Sequence, residues 1–124
     1  MADNAEVVSY VLRRGRDLGL CRVLPAGAVT VGQGGEVLAQ FGELRRAGAV
    51  ALTDDGKPIE NAKIMRSALE YAQDFDLVVM SHAEEKALSK NGYMHEGPIS
   101  TRLGLRGIPA QAETIAISRD LMLC

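Results

Sequence analysis

Apolar positions along the chain fall into two alternating rhythms, a helical one and short unbroken runs. Val7, Val8, Val11 and Leu12 stand at helical spacing, with Arg13, Arg14, Arg16 and Asp17 on other faces. Asp3-Asn4-Ala5-Glu6 offers this helix an N-cap, with an acid three residues after Asp3; Gly15 weakens it and Gly19 can close it. Leu20 to Leu24 reads as a strand stopped by Pro25, and Cys21 as a small apolar residue within it. The glycine-rich run from Gly27 to Gly35 reads as a loop. It lacks the lysine and hydroxyl residue that would close a phosphate-binding motif. Val37, Leu38, Phe41 and Leu44 give a second helix a narrow apolar stripe, ended by Gly48. Ala49 to Leu52 is a second strand. Asn61 can cap a third helix, with Ile64, Met65, Ala68, Leu69 and Ala72 on one face. Leu77 to Met80 is a third strand. A loop carrying Gly92, Gly97, Gly104 and Gly107 leads to Pro109, placed for the first turn of a last helix with Ala112, Ile115, Ala116 and Leu121 on its apolar side.

Strands separated by helices imply a parallel sheet, so the expected class is α/β, with about three parallel strands and four main helices. Three strands make a small sheet with both edges open, here Leu20 to Leu24 and Leu77 to Met80. The chain also begins and ends on a helix. Residues 1–124 therefore read as a central segment of a (β/α) barrel domain, one that should self-associate when alone.

Two of these strands end in chemistry. Leu77 to Met80 runs into Ser81 and His82, followed by Glu84 and Glu85; Ala49 to Leu52 runs into Thr53-Asp54-Asp55-Gly56. The carboxyl ends of parallel strands are where α/β folds place their sites, and neighbouring strands would bring carboxylate and imidazole into one space. That pairing suits a metal ion. Each part also has a plainer reading. A strand-end histidine can simply hydrogen-bond, Asp-Gly is a common turn pair, Glu84 and Glu85 fit a solvated turn, and His95 fits a loop.

Composition narrows the field. At 47% hydrophobic and 24% charged, the chain of 124 residues is an ordinary globular sequence. A net charge of −2 leaves no basic footprint for nucleic acid, and the lack of Trp makes a base-stacking surface a poor fit. No run is long enough for a membrane span, and the two cysteines form neither a disulfide framework nor a metal-ligand spacing. A cytoplasmic setting is the expectation.

Several stretches together resemble dihydroorotase, the longer bacterial type within the amidohydrolase superfamily. They are "RVLPAGAVTVG", "GELRRAGAVALTDDGKPIENAKIMRSALEYA", "VVMSHAEE" and "MHEGPISTRLGLRGIPAQAETIAISRD". The resemblance implies a zinc-dependent (β/α)8 barrel that interconverts N-carbamoyl-L-aspartate and L-dihydroorotate in pyrimidine synthesis. It implies that Asp55, the second Asp of the DDG motif, bridges two zinc ions and that His82 binds one of them. The family's HxH pair with its neighbouring substrate-binding Arg, a later zinc-binding His and the catalytic Asp have no counterpart here. They would lie before Met1 and after Cys124, so the chain alone is expected to be inactive, with no catalytic residue of its own.

Two other classes remain open. An allantoinase or dihydropyrimidinase commonly uses a carboxylated lysine as its bridging ligand, and Asp55 stands where that lysine would be. A non-catalytic dihydroorotase-like partner of aspartate transcarbamoylase tends to lose its metal ligands, whereas this segment keeps both that it could show.

Overall fold

A computed structural model describes every residue, Met1–Cys124. The chain divides into two compact units, residues 1–82 together with Cys124, and residues 83–123.

The first unit runs α1 (Ala5–Leu18), β1 (Ala26–Ala28), α2 (Phe41–Ala47), β2 (Ala51–Thr53), α3 (Ala62–Gln73) and β3 (Val78–Met80). The strands form one parallel sheet in the order β1-β2-β3, with Ala26 opposite Ala51 and Ala51 opposite Val78. Helices α2 and α3 are the crossovers that parallel pairing requires. The α/β class and the three-stranded parallel sheet are thus as the sequence pattern predicts.

Helix α1 starts at Asn4, whose side chain accepts the Val7 N–H at 3.1 Å, and ends at Gly19 in the left-handed region, φ 63°. Asp3 does not cap it. Its carboxylate accepts the backbone N–H of Gly32 at 2.8 Å instead, tying the N-terminus to the glycine-rich stretch.

That stretch holds the first correction. The first strand is Ala26–Ala28, not Leu20 to Leu24. Residues 20–24 join no ladder: Leu20 is 85% exposed, Cys21 is exposed, and Val23 lies against Gly15, where a Cβ would come within 2.6 Å of the Val23 Cγ2. The reason is packing. Leu44 of α2 sits so close over β1 that a Cβ on Gly27 would be 2.8 Å from its Cδ1, so the strand beneath it is built of small residues. Glycine and alanine there read locally as loop, yet Ala28 and Val29 are buried.

The second helix also starts later than its apolar stripe suggests. Val31 donates to the Val37 carbonyl at 2.8 Å and Ala39 to that of Val29 at 3.0 Å, around an antiparallel bridge between Thr30 and Leu38. Val37 and Leu38 belong to this return, and α2 begins at Phe41. Gly48 closes it at φ 106°. Phe41, Leu44, Leu52, Ile59, Met65 and Val8 are fully buried, each worth about 1.5–3 kcal/mol on leaving water. The Phe41 ring stacks on Tyr71 at 4.8 Å, and Tyr71 meets Phe75 edge-on at 5.1 Å, which fastens α2 to α3. Asn61 caps α3 by accepting the Lys63 N–H at 3.0 Å, as its position predicts.

The second unit runs α4 (Lys86–Ser89), β4 (Met94–His95), α5 (Pro98–Leu103), β5 (Gly107–Ile108) and α6 (Gln111–Leu123), with β4 and β5 paired in parallel. The stretch expected as loop therefore carries two short helices and a two-stranded ladder. Such brief elements have no room for a periodic pattern. Glycine admits the close approaches: a Cβ on Gly107 would lie 2.5 Å from the Glu96 backbone. In α6, Ala112 and Ala116 are buried, while Ile115 is 50% and Leu121 70% exposed, so its packed side is the small-residue one. No helix of the chain is long and apolar enough to cross a membrane.

The Asp3 contact gives a pH-dependent prediction. The Gly32 N–H holds the Asp3 carboxyl below its usual value. A depressed carboxyl stabilises the fold above its unfolded pKa, about 3.9, and that contribution is lost as pH falls through the lower folded value. Asp3→Asn is expected to lower the urea midpoint slightly at about pH 7, and the gap should close by about pH 2. A deficit of equal size at both pH values would show that the carboxylate charge is not what Gly32 holds.

Candidate metal centre

The site is built at the carboxyl ends of β2 and β3. Thr53 and Met80 are the last ladder pair of these strands. Beyond it the Thr53 hydroxyl takes over, donating to the Met80 carbonyl at 3.0 Å and accepting the Asp55 N–H at 3.1 Å. The next residues turn: Lys57 donates to the Asp54 carbonyl at 2.9 Å, and Gly56 supplies the positive φ of 73° that this turn needs.

Asp54 and Asp55, neighbours in sequence, are treated oppositely. Asp54 is 2% exposed, and its carboxylate spans two strand ends. Oδ1 accepts the His82 N–H at 2.6 Å and Oδ2 accepts the Ile59 N–H at 2.9 Å. Asp55 instead projects outward, its side chain 83% exposed, with Oδ1 3.8 Å from Nδ1 of His82, itself 39% exposed. Asp54 therefore holds backbone at this turn, while the Asp55 side chain stays exposed beside His82.

Asp55 and His82 meet the needs of zinc in type and spacing. Zinc takes carboxylate oxygen and neutral imidazole nitrogen, and two such ligands on one tetrahedral ion lie about 3.3 Å apart. A separation of 3.8 Å is longer than a hydrogen bond and close to that value. The count falls short: no three or more His, Cys, Asp and Glu residues converge in the chain, whereas tight sites use three or four protein ligands. What the chain presents at these strand ends is one carboxylate and one imidazole, of types that zinc accepts.

The remaining acidic and imidazole groups have other places. Glu84 pairs with Lys86 at 2.9 Å, and Glu85 caps α4 by accepting the Ala87 N–H at 3.4 Å. His95 is exposed on β4. Sequence reasoning missed Thr53, and it missed Gln33, whose side-chain amide donates to the Asp55 carbonyl at 3.3 Å. A hydroxyl residue directly after an apolar run was the available signal for Thr53; nothing local marked Gln33.

A sequence model described as dihydro-orotase-like matches residues 1–124. The chain belongs to that family. Among curated relatives, the dihydroorotase of Syntrophobacter fumaroxidans is 59% identical over 121 residues, 98% of this chain and 28% of its own length. The dihydroorotases of Pelobacter propionicus, at 54%, and Desulforapulum autotrophicum, at 50%, align over the same 98% and 28%. This dihydro-orotase-like chain thus spans a little over a quarter of the relatives it matches, and its strand-end donors lie within the matched residues.

Proposed function

We propose that this chain supplies Asp55 and His82 to the zinc centre of a cytoplasmic dihydroorotase that interconverts N-carbamoyl-L-aspartate and L-dihydroorotate. Asp55 would hold zinc through its carboxylate and His82 through a ring nitrogen, donor types that zinc accepts. The observation that carries this reading is the 3.8 Å approach of Asp55 Oδ1 to His82 Nδ1 at adjoining strand ends, in a chain of this family. Bound zinc would supply a water acidic enough to attack near neutral pH and would polarise the cyclic amide carbonyl. The chain's own part is to hold two donors at fixed separation on the rigid ends of a sheet, with the Asp54 carboxylate buried behind them.

In a protein of the relatives' full length, Asp55→Ala and His82→Ala should each lower bound zinc and cut turnover by about a thousandfold or more. Full zinc content and full turnover in the Asp55 variant would remove that residue from the centre. The 124-residue chain by itself should show no dihydroorotase turnover with or without added zinc, because two donors do not make a tight site. Turnover by the purified chain that His82→Ala abolishes would overturn this.

Self-association of the isolated chain belongs to the same reading. In the sheet β1-β2-β3 the outer strands are β1 and β3, rather than Leu20 to Leu24 and β3. The Ala2 carbonyl accepts the Ala28 N–H at 2.8 Å and so partly closes β1. On β3, Val78 is 66% and Met80 49% exposed, an apolar edge of the kind that pairs with another copy. Sedimentation equilibrium at micromolar concentration is expected to give species heavier than 13.3 kDa, and a monodisperse monomer would contradict it.

A further inference from the structure

We propose that Thr53 and Asp54 are positioning residues for the metal centre, a two-part clamp that sets the separation of Asp55 and His82 without either residue touching the metal; this rests on the reading that Asp55 and His82 are zinc ligands. Both donors lie just past the last ladder pair, Thr53 and Met80, where the sheet no longer fixes one strand end against the other. Two side chains bridge that gap in place of the backbone. The Thr53 hydroxyl uses its hydrogen on the Met80 carbonyl at 3.0 Å and a lone pair on the Asp55 N–H at 3.1 Å. It therefore joins the backbone of one ligand to the strand that carries the other. The Asp54 carboxylate makes the reciprocal link. It holds the backbone of His82 at 2.6 Å through one oxygen and Ile59, fully buried in the core, at 2.9 Å through the other.

The chemistry of each position is restrictive. Both groups opposite Asp54 are N–H donors, so only a side chain accepting on both branches satisfies them. An Asn would set its NH2 against one of those N–H groups, in a site 2% exposed where water does not readily substitute. At Thr53 the group needed is a hydroxyl that donates and accepts at once. Ser keeps it, while Val keeps the shape and loses both bonds.

The test uses the full-length protein, with zinc affinity by chelator competition and the absorption of the cobalt-substituted form read beside thermal midpoint and kinetics. Thr53→Val is expected to weaken zinc binding about 10- to 100-fold and to shift the cobalt bands, with Thr53→Ser restoring both. Asp54→Asn should weaken binding likewise; if it does not fold, the Thr53 pair alone decides. Unchanged zinc affinity and cobalt spectrum in Thr53→Val, while Asp55→Ala loses metal, would overturn the clamp and leave the metal centre standing. Retention of zinc by Asp55→Ala and His82→Ala would instead overturn the centre, and the clamp with it.

Discussion

The buried carboxylate of Asp54 is the constraint on which the working end of this chain depends. A charge shut away from water is tolerable only when its oxygens are bonded, and here backbone N–H groups of two different segments do it. The bond to Ile59 anchors the group to the core and the bond to His82 ties down the end of the neighbouring strand. Once Asp54 is fixed, the turn that follows has little freedom. Asp55 then leaves on the opposite side of the backbone and faces the imidazole of His82.

The sheet beneath is held by a different balance. Its first strand is built of small residues because helix α2 presses Leu44 onto it, and the area that larger side chains would have buried is taken up by α2 itself. Stacking of Phe41, Tyr71 and Phe75 then couples α2 to α3 on the same face. The two crossover helices thus set the strand positions that Asp54 and Thr53 join at one end.

Membership of the dihydro-orotase-like family agrees with this geometry but does not make the chain a complete site. The matched relatives are more than three times longer than the aligned stretch, and what the chain presents is one carboxylate and one imidazole. The division of labour is still clear at this scale. One Asp of the pair holds backbone, and the next is left exposed beside the His82 imidazole.

Much of this was legible in the sequence. Apolar runs placed β2 and β3, helical periodicity and Asn61 placed α3, and the polar residues closing each run placed Asp55 and His82 at strand ends. Each of those signals is local: a side chain's character reports the face it occupies. Where the structure departs, the deciding contact is remote. Whether Ala26–Ala28 or Leu20 to Leu24 enters the sheet depends on Leu44, and whether Val37 begins a helix depends on its hydrogen bond to Val31. The sequence by itself determined the α/β class, the order of its main helices and strands and the placing of Asp55 and His82 at strand ends, since these follow from periodicity and residue type. Only the tertiary structure decided the first strand, the outer edges of the sheet and the clamp of Thr53 and Asp54, because each depends on which distant backbone group comes within hydrogen-bonding or van der Waals reach.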